Sequence, residues 1–389
     1  MQRCDAWLMV SMPNAEFAEI GSSILGSSSP PVEVSLGKTL NPKLPWMLCI
    51  SLCITCVIMK RLKNQYDKIS PAAGVQTRTA LSSTTVQSTE APPSSKQSDR
   101  LRGQDIMVES DRELSSMAQA LWDNDVNRLQ PGKDYRISLQ GKAGEMAMND
   151  DNDGAGFPLF TFVDENIFKK ETFLAFISLL DNYVSDTGEP EIVTPEEEAE
   201  NHKFLDSLVQ TPTMKIAHKY LVEKHLSPEN EKDFKKQLYR IWFELYARKG
   251  SSRPDSSGFE HVFVGETRGG RTVIGFHNWI QLYLQEKLGH IDYKGYSVNA
   301  NSPQPDENKH IMALQFSWKN GIKPKGSIFI GVSPEFEFAL YTLCFLSSPN
   351  EHVKVQFSLY DVEIVCHHYN QKHIGTTYPM LVRYQNPTH

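Results

Sequence analysis

Residues 256–286 read SSGFEHVFVGETRGGRTVIGFHNWIQLYLQE and set two histidines, His261 and His277, on either side of a glycine-rich turn. Two imidazoles held about a substrate's width apart can move protons on and off a phosphodiester without a nucleotide cofactor. Histidine suits the task because its ordinary pKa lets two members of a pair hold opposite protonation states near neutral pH. The local pattern predicts a strand over 259–264, a turn through Gly265, Gly269 and Gly270, and a helix over 276–286 with Trp279, Ile280, Tyr283 and Leu284 on one side. In that arrangement both rings face one cleft, and Glu260 and Glu266 flank the first of them.

Outward from this stretch the chain changes grammar. Downstream, 311–318, 327–332, 353–359, 362–367 and 380–384 have the length and composition of strands. Between them Ser333-Pro334-Glu335 starts a helix through Phe338, Leu340 and Tyr341. Upstream, Leu114, Met117, Ala118, Leu121 and Trp122 recur at helical spacing, Val126 and Leu129 extend that face, and Pro131-Gly132 stops it. Further helices are predicted over 167–183, 212–226 and 229–248, and Thr194-Pro195-Glu196-Glu197 has the residues of a capping box. The fold class is therefore α+β, a helical N-terminal lobe followed by mostly antiparallel sheet lobes.

The chain has 389 residues, of which 40% are hydrophobic, and a formal charge of −7. That charge argues against wrapping duplex DNA, which requires many phosphates to be neutralised. It leaves open an enzyme that engages one or two phosphates in a locally basic cleft. Of six cysteines only Cys344 and Cys366 fall in the folded region, too few for a disulfide framework, and both read as buried thiols. Cys53 and Cys56 lack the second ligand pair of a zinc site, and the Asp-rich loop within 141–158 lacks the terminal Glu of a calcium loop.

Residues 1–43 read as a disordered segment. The run LPWMLCISLCITCVIM over 44–59 carries no charge and is followed by Lys60, Arg61 and Lys63, the pattern of a possible membrane anchor. A Ser/Thr/Pro-rich linker over 60–110 has too few apolar residues to offset the entropy of ordering. The folded domain is expected over 111–389.

Several ordered blocks carry a specific resemblance: GFEHVFVGE, GFHNWIQLYLQE, DYKGY, QFSWKNGIKPKGSIFIGVSPEFEFALYTLCF and IGTTYP. Together they resemble the EndoU family of uridylate-preferring endoribonucleases over roughly residues 111–389. The resemblance implies a catalytic centre of His261, His277 and, within IKPKGS, Lys323, with Glu260 and Glu266 beside the first histidine and Thr376 and Tyr378 near the pyrimidine and the reacting groups. It also implies dependence on Mn2+, a single-stranded, uridine-containing RNA substrate and products ending in a 2′,3′-cyclic phosphate. A monomer is expected.

The residue types suit this chemistry independently. RNA carries its own nucleophile, the 2′-hydroxyl, so cleavage needs a base to deprotonate it and an acid to protonate the departing 5′-oxygen. The resemblance assigns His277 as base and His261 as acid, a direction the sequence leaves open. A lysine ammonium would stabilise charge on the phosphoryl oxygens. Lys319 and Lys325 compete with Lys323 for that place, and Arg268 or Arg271 for a pairing with Glu260. The competing classes are a non-catalytic uridine-rich RNA-binding module and a protease; the serines here lack a nucleophile elbow.

Overall fold

The structure, a computed structural model, describes residues 109–144, 153–248, 251–298, 303–348 and 351–385. The apolar run at 44–59, the segment at 1–43 and nearly all of the 60–110 linker lie outside the described residues. Among those described, no helix is long and apolar enough to cross a membrane.

The chain opens with helix α1 (Glu109–Asp123) and a small antiparallel pair, β1 (Tyr135–Ile137) with β2 (Phe160–Val163). The single helix expected over 167–183 is two pieces. A 3-10 turn (Glu165–Lys169) capped by the Asp164 side chain is followed by α2 (Glu171–Ser178), and Lys170 between them is extended. Helix α3 (Pro195–Val209) begins with the expected capping box, Thr194 and Glu197 satisfying each other's backbone N–H. Helices α4 (Pro212–Glu223) and α5 (Glu231–Trp242) are capped by the side chains of Thr211 and Asn230.

The second half holds β3 (Glu266–Arg268), β4 (Thr272–Ile274), α6 (Trp279–Lys287), β5 (Ile291–Tyr296), β6 (Ile311–Trp318), β7 (Gly321–Phe329), α7 (Pro334–Ser347), β8 (His352–Phe357), β9 (Tyr360–Tyr369) and β10 (His373–Tyr384). They form a five-stranded sheet in the order β3-β4-β7-β6-β5 and a three-stranded sheet in the order β10-β9-β8. Every pairing is antiparallel except β4 with β7. Helix α7 is buried from Pro334 to Phe345 and packs on α4, α1 and α2 as well as on β9 and β10 of the three-stranded sheet, so it belongs to the helical layer although it lies late in sequence. An aromatic cluster of Phe176, Phe204, Phe259, Phe263, Trp242 and Phe338 joins the helices there.

The predicted strand over 259–264 is instead a wide helical turn, Glu260–Val264, closed by Gly265 N–H donating to the Glu260 carbonyl at 2.8 Å. Phe259, Val262 and Phe263 are all fully buried at helical spacing, and that contact with the aromatic cluster outweighs the local β propensity. Two strands are longer than predicted. β7 starts at Gly321 and so includes Lys323, and β10 starts at His373 and so includes the GTTYP block. Pro379 sits within β10 because that strand is an edge of its sheet.

Candidate active site

A backbone crossing between the wide turn and the segment before α6 positions the two histidines. Phe276 N–H donates to the His261 carbonyl at 2.9 Å, and His277 N–H donates to the Val262 carbonyl at 2.7 Å. The approach is close enough to require glycine. A Cβ on Gly275, whose φ is +62°, would lie 1.9 Å from the His261 carbonyl oxygen. Phe276 itself is left-handed at φ 62° and is held there by edge contacts of its ring with Phe316 and Trp318.

Above this crossing opens a cleft of about 900 Å³ whose wall includes His261, His277, Lys323, Thr376 and Tyr378. Five of the seven residues singled out in the sequence therefore converge, drawn from the wide turn, the segment before α6, β7 and β10.

The two histidines are held by different partners. His261 Nδ1 donates to Glu266 Oε2, and Arg248 Nε lies 3.1 Å from the same oxygen. Arg248 is fixed in turn by Ser256 Oγ at 2.9 Å and the Gly375 carbonyl at 3.0 Å, which ties this cluster to β10. Burial opposes charge on Glu266, yet His261 and Arg248 keep its carboxyl below the ordinary range. Burial and the Arg248 charge push the His261 imidazole down to about 4, with Glu266 working the other way. His277 Nδ1 lies 2.9 Å from the Ser327 carbonyl oxygen. A carbonyl only accepts, so Nδ1 carries the proton and Nε2 keeps its lone pair. Burial, then the nearby Lys323 ammonium, hold His277 well below its ordinary pKa.

Lys323 donates to the Gly275 carbonyl, which anchors the ammonium at the backbone crossing. Burial lowers its pKa to about 8. Neither rival lysine takes this position: Lys319 reaches Ser185 Oγ at 2.7 Å and lies over the Trp318 ring, and Lys325, on the cleft wall, is exposed. On β10, Tyr378 stacks on the His277 ring with centroids 4.5 Å apart and planes 15° from parallel. Thr376 Oγ1 is buried without a hydrogen-bond partner among the described residues, an acceptor and donor left over by the fold.

The two glutamates expected to touch substrate do not line the cleft. Glu266 is fully buried behind His261, so its contact is with the imidazole. Glu260 points away into the interior, where both carboxyl oxygens lack partners; burial and the neighbouring Glu266 charge raise its pKa well above the ordinary carboxylate range. It pairs with neither Arg268 nor Arg271; the arginine in this cluster is Arg248, which sequence pattern alone did not single out because it follows α5 in an unremarked ARKG. Among the described residues no three His, Cys, Asp or Glu side chains form a group able to hold a metal ion. The described residues thus do not fit a resident Mn2+.

Comparison with known proteins agrees with this architecture. The family Endoribonuclease XendoU matches residues 113–379. Uridylate-specific endoribonuclease B of Danio rerio is 85% identical over 281 residues, 72% of this chain and 100% of its own. Poly(U)-specific endoribonuclease-B of Xenopus laevis is 55% identical over 280 residues, 71% of this chain and 96% of its own. A solved structure of XendoU, described as a splicing independent snoRNA processing endoribonuclease, has a TM-score of 0.62 and 54% identity, and the match covers 71% of this chain and 98% of that one.

Proposed function

The chain belongs to the XendoU endoribonuclease family, and we propose that it cleaves single-stranded RNA on the 3′ side of uridylates by attack of the ribose 2′-hydroxyl, leaving a 2′,3′-cyclic phosphate and a 5′-hydroxyl. The observation that carries this reading is the opposite setting of two imidazoles on one cleft wall, with an ammonium beside them.

His277 has its free lone pair on Nε2 and is neutral at physiological pH, which suits it to take the 2′-hydroxyl proton. The oxygen then attacks phosphorus, and negative charge grows on the non-bridging oxygens, where Lys323 is the nearest ammonium. His261, backed by the Glu266 carboxylate, is the group suited to deliver a proton from Nε2 to the leaving 5′-oxygen. Burial and Arg248 hold that ring neutral, so the acid role requires the RNA phosphate to supply the anion that raises its pKa on binding. Thr376 Oγ1 is free to read an edge of the pyrimidine, and the Tyr378 ring orients His277.

Incubating the full chain with UpA and with its 2′-deoxyuridine analogue tests the reaction. Loss of UpA with appearance of uridine 2′,3′-cyclic phosphate, and no change in the deoxy form, is expected. Binding of UpA without cleavage would replace the enzyme by an RNA-binding module. Dependence on Mn2+ enters the proposal only as an ion carried by the RNA; it predicts that chelation lowers turnover of long RNA more than it lowers turnover of UpA. Attachment to membranes through 44–59 is checked by carbonate extraction, and recovery of the chain in the soluble fraction would rule it out.

A further inference from the structure

We propose that the β3–β4 hairpin is a second phosphate site, which grips the RNA one nucleotide beyond the scissile bond on its 3′ side through Arg268. This rests on the transphosphorylation reading above and assigns that site a substrate polarity.

The hairpin turn is Gly269-Gly270, with φ of +59° and +62°. With Arg268 paired to Thr272 the connection is the three residues Gly269-Gly270-Arg271, closed by Arg271 N–H donating to the Arg268 carbonyl at 3.3 Å, and glycine supplies its two successive positive φ values without strain. Nothing lies within 4 Å of a Cβ built on either glycine, so close packing is not what requires them. The turn therefore fixes a short, regular hairpin that presents Arg268 and Arg271 at its tip, both exposed.

Arg268 also lies on the cleft wall, with its cross-strand partner Thr272. The other Lys and Arg side chains on that wall are engaged: Arg248 with Glu266, Lys323 with the Gly275 carbonyl, and Lys325 within its own surroundings. Arg268 has no hydrogen-bond or ion-pair partner for its guanidinium among the described residues. A planar donor fork left unpaired at the edge of a phosphate-binding cleft is suited to a second phosphate.

Strand geometry gives the polarity. Glu266 and Arg268 are two residues apart on β3 and so share a face, about 7 Å apart. Glu266 holds His261, the group assigned to protonate the leaving 5′-oxygen. One step outward from Glu266 along that face, past the ring it holds, therefore lies beside the nucleotide that departs, where its own 3′-phosphate follows. Tyr378, by contrast, stacks on His277, on the side of the attacking uridine.

The test compares UpA, UpAp with a 3′-terminal phosphate, and ApUpA extended on the 5′ side. In the wild type the added 3′-phosphate should lower KM, and Arg268→Ala should remove about three- to tenfold of that gain, the scale of one charge-assisted phosphate contact. Its effect on ApUpA should match its effect on UpA. On longer RNA, Arg268→Ala should reduce the slope of log affinity against log salt by about 0.7, one phosphate's share on a single strand. Arg268→Lys should restore part of the affinity, and the thermal midpoint should not move because the side chain is exposed. An equal effect of Arg268→Ala on UpA and UpAp would overturn the site; a larger effect on ApUpA would overturn its polarity. Failure of the wild type to cut UpA would remove the reaction on which both depend.

Discussion

The two histidine pockets differ in what stands behind each ring. Behind His261 is a carboxylate, itself clamped by Arg248; behind His277 is a neutral carbonyl, with an ammonium nearby and a phenol ring stacked across it. A carboxylate favours the imidazolium, so a ring backed by one can accept a second proton once an anionic substrate offsets burial. A carbonyl fixes the tautomer without adding charge, and a neighbouring ammonium discourages protonation, so His277 stays a neutral acceptor. The difference between the pockets lies in the groups behind the rings, because the rings themselves share one wall of one cleft.

The largest test of that difference is removal of each ring. His277→Ala and His261→Ala should each slow cleavage of UpA by about 10²–10⁴-fold, the usual range for a lost general base or acid. Replacing the leaving nucleoside by a weakly basic aryl oxide, as in uridine 3′-(4-nitrophenyl) phosphate, removes the need for an acid. His261→Ala should then recover most of its rate and His277→Ala should not. Recovery in the opposite variant would exchange the two roles.

Glu266→Gln keeps a hydrogen-bond acceptor for His261 but removes its counter-charge. The imidazole pKa should fall further, because Glu266 is the group that raises it, and Arg248 is left without its carboxylate. Cleavage of UpA should slow by about tenfold or more while turnover of the aryl phosphate changes little. Titration of the His261 ring protons by NMR in both proteins checks the cause directly.

Lys323 sharpens the comparison from the other pocket. Its ammonium is lost as pH rises through about 8, whereas arginine stays charged throughout. The ratio of wild-type to Lys323→Arg rates should therefore fall by about tenfold between roughly pH 7 and pH 9, as one titrating group requires. A flat ratio would show that the ammonium does not titrate in that range.

These assignments were unequally legible in the sequence. The residues of the cleft wall were accessible because their chemistry is carried in short blocks, and the helix starts because Thr194, Ser333 and their prolines act locally. The conformation around His261 was not. The stretch FEHVFV satisfies an alternating pattern and a helical one equally, and only contact with Phe176, Phe204 and Trp242 decides between them. The same limit hid Arg248, whose role depends on Glu266 in β3 and Gly375 in β10, both distant in sequence. Glu260 and Glu266 looked equivalent beside His261, but the wide turn sends one inward and leaves the other to β3.

That last contrast gives the smallest expected effect, read in stability. Glu260 is fully buried, its oxygens lack partners, and burial together with the Glu266 charge raises its pKa in the folded state. The unfolded chain loses this proton near the ordinary carboxylate pKa while the folded chain keeps it. The stability contributed by Glu260 is therefore fully present below that unfolded value and is lost progressively as pH rises toward the folded one. Glu260→Gln removes the ionisation and retains the shape. It should leave stability near pH 4 almost unchanged relative to the wild type and raise it at pH 7 by on the order of 1 kcal/mol, about 2–4 °C in the melting midpoint. Melting curves of both proteins across this range check the prediction. A midpoint difference that stayed constant with pH would show that Glu260 is ionised in the fold, and Arg248 would then have to balance two carboxylates, leaving less of Glu266's charge to support protonation of His261.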